Sequence, residues 1–140
     1  MERVVITGMG VISPLGNTLD SYWSGLETGR SGIGPLTKFD NTDYRTTIAA
    51  EVTDFDGAQY LDAKDARRLP PFIQFAVAAA GLALEDGGLT QGSFDPNRGG
   101  VIVGSGIGGL DIIEAQHEIL RSKGPKIKKN KEKRNRIKAK

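Results

Sequence analysis

A glycine-rich corner at residues 99–111 constrains the fold of this chain more than any other stretch. It opens with Val101, Ile102 and Val103, and three β-branched residues in a row are typical of a buried strand. Four glycines and one serine then fall within residues 104–109, and such a run ends a strand in a tight turn. From Leu110 onward apolar residues recur at helical spacing. The sequence therefore predicts a strand, a glycine turn and a helix.

The glycines of this turn allow two interpretations, namely left-handed backbone angles or the close approach of a ligand or another backbone segment. Gly104, Gly106 and Gly109 have the spacing of the dinucleotide-binding fingerprint, in which a helix N-terminus holds a pyrophosphate. That fingerprint also requires an acidic residue about 20 positions further on, where this chain is rich in lysine. A structural turn or the wall of a non-nucleotide pocket is the favoured alternative, and we expect no cofactor and no metal.

A second corner opens the chain. Residues 3–7 are typical of a strand, and Gly8 and Gly10 end it. The later patterns predict a helix to about residue 28 that is capped by Asn17, Thr18 or Asp20, an irregular stretch at residues 31–47, a short strand at residues 48–52, and helices at residues 62–69 and 72–84.

Strands that alternate with helices predict an α/β fold. The helix at residues 72–84 is apolar on nearly every side, which indicates burial all round. Two apolar strands and such a helix need more covering layers than 140 residues supply, so we expect the chain to be part of a larger fold.

Charge divides the chain at about residue 120. Residues 1–120 contain 8 basic and 16 acidic side chains, whereas residues 121–140 contain 11 basic and 1 acidic. Residues 126–140 include two isoleucines and no aromatic residue, which is too little apolar surface to order a segment, so we predict a disordered polycation there. Such a tail suits a non-enzymatic module that binds nucleic acid or other polyanions without specificity.

The chain contains no cysteine and one histidine. Disulfides, thiolate nucleophiles, cysteine-ligated zinc and paired histidines are therefore excluded within these 140 residues. His117 falls on the apolar stripe of the last predicted helix, so we interpret it as a half-buried packing residue. The longest largely apolar run, residues 72–84, is too short to span a bilayer, and we expect a cytoplasmic protein without a membrane partner.

Several separated motifs resemble the start of a β-ketoacyl-acyl carrier protein synthase of the type II elongation class. In chain order they are RVVITGMGVISPLGN at residues 3–17, SGI at residues 31–33, FD at residues 39–40, FIQ at residues 72–74 and GSGIGG at residues 104–109. The resemblance runs from residue 2 to about residue 125.

The resemblance implies a partial thiolase-like fold over residues 1–125, followed by a lysine-rich tail at residues 126–140. Members of this family work as homodimers and elongate acyl chains on acyl carrier protein with a malonyl donor. Their catalytic cysteine, two histidines and lysine lie downstream of the matched region, so we expect no catalytic residue in this chain and no condensing activity. The switch to lysine-rich sequence near residue 125 indicates a truncation or a frameshift.

Two sets of site residues follow from the resemblance. Ile107 takes the position at which the family's loop faces the acyl tunnel, while the alternative is that it anchors the glycine loop against the core. Lys64, Arg67 and Arg68 match positions at which the family presents basic residues to acyl carrier protein. Their spacing places all three on one helix face, where a merely solvated charged face is the alternative.

Overall fold

The computed structural model describes residues 3–90 and 92–125 of the chain. They belong to two compact units, Met1–Gly104 and Ser105–Lys140. The tail predicted to be disordered, residues 126–140, lies outside the described residues, so the boundary at residue 125 stays a prediction. Within the described part, no helix combines the length and apolar composition that crossing a membrane requires.

Helix α1, Leu19–Glu27, begins where the sequence predicts because Thr18 caps it. The Thr18 hydroxyl accepts a hydrogen bond from the backbone N–H of Ser21 at 3.2 Å, and the Ser21 hydroxyl accepts one from the backbone N–H of Thr18 at 3.3 Å. Gly29, at φ 64°, follows the last turn of the helix. Both ends of α1 are thus determined by local sequence signals.

Strands β1, Ile33–Pro35, and β2, Ile48–Ala50, form an antiparallel pair. The predicted strand at residue 48 is confirmed, whereas β1 lies in a stretch that was expected to be irregular. The register pairs Ile33 with Ala50, Gly34 with Ala49 and Pro35 with Ile48. An isolated two-stranded ribbon is only marginally stable, so the ribbon depends on contacts between its strands and the loop that joins them.

Glu51 provides the main loop contact of this hairpin. Its carboxylate accepts hydrogen bonds from the Thr37 hydroxyl at 2.6 Å and from the backbone N–H groups of Thr37 and Lys38 at 3.2 and 3.3 Å. The pKa of Glu51 lies below its ordinary value of 4.5, chiefly because the Thr37 hydroxyl donates a hydrogen bond to the carboxylate.

We expect the Thr37 backbone amide resonance to titrate with this lowered pKa. A carboxyl whose folded pKa is depressed contributes stability above its unfolded pKa, and this stability is lost as the pH falls through the folded value. The hydrogen bonds from Thr37 and Lys38 to Glu51 should therefore be intact at pH 5 and be lost only below pH 4.5, as the carboxylate is protonated. Glu51→Gln should abolish the Thr37 titration in a two-dimensional NMR pH series.

The Thr42 amide, which donates to Asp40 at 3.1 Å, serves as the control and should titrate unchanged. A Thr37 titration midpoint at or above the ordinary value would contradict the contact.

Helices α2, Ala63–Arg68, and α3, Pro71–Asp86, confirm the two predicted helices and meet at a sharp bend. Leu69 is extended at the bend because it precedes a proline. The amide of Gln74 donates to the carbonyl oxygens of Ala66 at 2.9 Å and Leu69 at 2.7 Å. A side chain of α3 thus satisfies acceptors that the end of α2 leaves open, and it fixes α2 on the first turn of α3.

The two predicted buried strands are absent. Residues 3–7 and 101–103 form no strand, and Val4 and Ile102 are 96% and 100% exposed. A strand forms only beside another strand that accepts its backbone hydrogen bonds, and β1 and β2 pair only with each other in the described chain. The described residues therefore contain helices and one small antiparallel ribbon, and no α/β sheet.

Helix α3 is covered only in part, which corrects its expected burial on every side. Ala78 is fully buried, but Phe72, Val77 and Leu84 are exposed. One side receives Phe55, whose ring lies 4.9 Å from that of Phe75. Ala78 is the one hydrophobic residue in the described chain that counts as core, so this unit lacks the interior that a domain of its length normally buries.

In the second unit, helix α4, Leu110–Lys123, confirms the helix predicted after the glycine turn. None of its residues is buried, and the apolar residues Leu110, Ile113 and Leu120 are exposed. His117 is exposed as well, which corrects the expectation of a half-buried packing residue. An amphipathic helix buries its apolar stripe only against another layer, and the described residues of this unit supply none.

Candidate functional site

The basic face of α2, formed by Lys64, Arg67 and Arg68, is exposed to solvent. Asp62 starts the helix by accepting hydrogen bonds from the backbone N–H groups of Lys64 and Asp65, each at 2.9 Å. The two arginines fall in the last turn, where positive charge complements the helix dipole. The three cations therefore lie on a short helix whose N-terminus is capped by Asp62.

Pairing within the basic face is slight. Arg68 forms an ion pair with Asp65 at 3.4 Å, in which the side chain of Arg68 is 68% exposed and that of Asp65 is 39% exposed. Among the described residues, Lys64 and Arg67 have no carboxylate within ion-pair distance. Exposed pairs of this kind contribute 0 to about 1 kcal/mol, so the face keeps most of its positive charge for an acidic partner.

Ile107 lies in the second unit, in the turn that leads to α4, and is 73% exposed. Gly108 beside it has a φ of 78°. Of the two interpretations of the glycine turn, this position therefore supports the one in which glycine allows left-handed backbone angles. An alanine Cβ at Gly104 or Gly106 would meet no atom within 4 Å. Among the described residues of its unit Ile107 packs against no core, and both its role in an acyl tunnel and the alternative of an anchor for the glycine loop stay predictions.

The glycine segment, residues 8–10, lies directly on helix α3. A Cβ added at Gly8 would overlap the Ala83 carbonyl oxygen, and one added at Gly10 would overlap the Ala79 carbonyl oxygen. Neither glycine has a positive φ, so backbone conformation does not require glycine at these positions. The close approach of the segment to the backbone of α3 does, because a Cβ would not fit. The backbone N–H of Met9 donates to Asp86 Oδ2 at 2.9 Å and fastens the segment to the end of α3.

Sequence reasoning missed this attachment, although a signal for it exists. Asp86 ends α3, where the helix dipole disfavours an acid. A carboxylate in such a place indicates a donor that comes from elsewhere in the chain. The donor is the backbone N–H of Met9, 77 positions away in sequence.

A cavity of about 310 Å³ lies between the glycine segment, the start of α1 and the last turns of α3. Its lining combines apolar residues with three carboxylates: Met9, Gly10, Val11, Thr18, Leu19, Asp20, Leu82, Glu85 and Asp86. No basic side chain lines it, so it does not suit a phosphate or carboxylate ligand. None of the site residues predicted from the sequence contributes to it. The described residues also contain no cluster of three or more potential metal ligands.

Solved structures with a similar fold define the class of protein. A β-ketoacyl synthase from Burkholderia phymatum superposes with a TM-score of 0.70 at 31% identity, covering 93% of this chain and 33% of that chain. A second neighbour, a type II PKS acyl-carrier protein in complex with its ketosynthase, matches with a TM-score of 0.67 at 28% identity, covering 86% of this chain and 30% of that chain. The described residues therefore have the fold of part of a ketosynthase.

The family follows from the sequence match. The profile described as "Beta-ketoacyl synthase, N-terminal domain" matches residues 1–136, and the chain belongs to the β-ketoacyl synthase family. The 3-oxoacyl-[acyl-carrier-protein] synthase 2 of Synechocystis is 48% identical over 124 residues, which cover 89% of this chain. The chain spans 30% of the length of that relative. The resemblance and the partial ketoacyl synthase fold expected from the sequence are confirmed.

Proposed function

We propose that this chain supplies the N-terminal part of a β-ketoacyl-acyl carrier protein synthase, docks acyl carrier protein and takes no acyl group itself. The observation that carries the proposal is the 48% identity to a 3-oxoacyl-[acyl-carrier-protein] synthase 2 over 89% of a chain that contains no cysteine. The intact enzyme would extend acyl chains by decarboxylative condensation with malonyl-acyl carrier protein, as a homodimer, in the cytoplasm.

The basic face of α2 supports carrier docking on physical grounds. Residues 1–120 hold 16 acidic against 8 basic side chains, so three adjacent cations oppose the field of the surrounding chain. Acidic partners are steered by such a patch, and this steering weakens with salt. In this proposal Ile107 faces the acyl tunnel of the complete enzyme, and its 73% exposed side chain offers apolar surface for that role.

We expect the triple variant Lys64→Ala, Arg67→Ala, Arg68→Ala to weaken binding of acyl carrier protein about tenfold at low salt. Three exposed charges at about 0.5 kcal/mol each amount to about one factor of ten in Kd. Isothermal titration at 20 and 300 mM NaCl measures the effect, which should shrink at the higher salt. The chain is best ended at Gly124, because the lysine-rich residues 126–140 would attract any acidic protein and no described element is cut there.

The matched control replaces Lys38, Arg45 and Arg98 with alanine. These cations are also exposed but lie outside α2, so the variant loses the same charge and should bind nearly as the parent does. Equal weakening in both variants would show a general charge effect and would refute docking by the basic face. If only the untruncated chain binds, the alternative of a basic tail that captures polyanions is correct.

A further inference from the structure

Helix α2 is too short to hold its own position. Its six residues, Ala63–Arg68, make fewer than two turns, and isolated helices shorter than about 12 residues are marginal in water. A helix also ends in carbonyl oxygens that have no partner within the helix, and a group that binds them can fix that end. In α2 this is the end that carries Arg67 and Arg68.

The side chain of Gln74 fixes this end of α2. Its amide donates one hydrogen bond to the carbonyl oxygen of Ala66 at 2.9 Å and another to that of Leu69 at 2.7 Å. These two acceptors lie directly before and after the pair of arginines in the sequence. Gln74 is half-buried near the start of α3, a helix of 16 residues. The two hydrogen bonds therefore tie the arginine-bearing turn to the longest helix of the described chain.

Gly57 leaves room for the amide of Gln74. Gly57 is buried, and a Cβ added there would overlap Gln74 Oε1. The three nearest atoms all belong to side chains, those of Gln74 and Phe55. Gly57 has no positive φ, so close approach alone requires glycine at this position. An alanine would displace the amide, which is the flexible end of a side chain, and would meet no backbone atom among these neighbours.

We propose that Gln74, whose amide lies against Gly57, is the positioning residue that holds the basic face of α2 in the orientation that acyl carrier protein binds. This inference rests on the proposed function and names a residue on which that docking depends. Groups that must be ordered on binding lower the affinity, whereas groups that are already ordered do not. Without the two hydrogen bonds the same charges remain, but the carrier has to order the last turn of α2 itself. Gln74 thus acts only through the cations.

The test replaces Gln74 with methionine, which keeps the length of the side chain and removes both donors without a change of charge. We expect carrier binding to weaken about fivefold at 20 mM NaCl, less than the loss of about tenfold in the triple alanine variant, because the cations remain. Two-dimensional NMR of the isotope-labelled full chain gives Kd from the amide resonances of residues 63–68. Binding read at these amides is separate from any attraction of the carrier to the lysine-rich residues 126–140.

Gly57→Ala is the second variant and leaves Gln74 in the chain. It should weaken carrier binding to a similar extent, and it reports on the same contact if the methionine variant does not fold. The control Gln59→Met makes the same chemical change at an exposed glutamine, and the control Gly100→Ala adds a Cβ that has no atom within 4 Å. Both controls should bind the carrier as the parent does. Circular dichroism at 222 nm checks that each variant is folded.

A double-mutant cycle separates positioning from a merely structural role. In the triple alanine variant, Gln74→Met should weaken carrier binding no further, because the cations through which Gln74 acts are absent. An equal loss on both backgrounds, or parental binding by both Gln74→Met and Gly57→Ala, would overturn the inference. The docking proposal fails in a different way: the α2 amides of the parent would not respond to the carrier, or they would respond equally in the triple alanine variant.

Discussion

Replacing Gly10 with alanine is expected to lower the free energy of unfolding by about 3 kcal/mol, the upper part of the range for overpacked sites. The new Cβ would overlap the Ala79 carbonyl oxygen and come within 2.7 Å of the Ala83 backbone nitrogen. Both atoms belong to the backbone of α3, which cannot move aside as a side chain can. The glycine segment would have to leave the helix, and the Met9 to Asp86 hydrogen bond would be lost with it.

Gly81→Ala is the matched control for this substitution. Gly81 lies in the same helix, and an alanine Cβ there would meet nothing within 4 Å. Alanine in a helix interior is about 0.5–1 kcal/mol more favourable than glycine, so this variant should gain stability. Urea titrations followed by circular dichroism at 222 nm compare the three proteins. Equal stability of Gly10→Ala and the parent would show that the glycine segment does not pack on α3.

The helices were predictable from the sequence because their signals are local. Thr18 and Asp62 cap α1 and α2 with side chains that reach only two or three residues along the chain. The spacing of Lys64, Arg67 and Arg68 predicts a shared face, and α2 presents that face to solvent. Such features need no knowledge of the rest of the fold.

Apart from β2, the strands were not predictable, because their formation depends on distant partners. Val101, Ile102 and Val103 have strand propensity, yet β propensity expresses fit to a pleated, half-buried surface. No such surface lies beside them in the described chain. The same limit hid β1, the Gln74 contacts and the attachment of Met9 to Asp86, each of which joins residues that no spacing rule connects.

Purified chain is expected to remain free of covalent acyl label when it is incubated with radiolabelled acyl-acyl carrier protein. Acyl transfer in a condensing enzyme needs an activated nucleophile, and the cysteine that the family resemblance implies has no counterpart in these 140 residues. The only histidine, His117, is exposed on α4 and has no cysteine to activate. A thiolate nucleophile is thus excluded by composition, whatever the carrier docking achieves.

The proposal that these 140 residues are a carrier-docking part of a β-ketoacyl synthase and take no acyl group themselves is tested most directly by that labelling. The complete 3-oxoacyl-[acyl-carrier-protein] synthase 2 of Synechocystis serves as the positive control, and the chain is assayed beside it at equal concentration. We predict label on the control and none on the chain after gel electrophoresis, under conditions where titration calorimetry shows the carrier bound. Stable, stoichiometric labelling of the chain would contradict the claim.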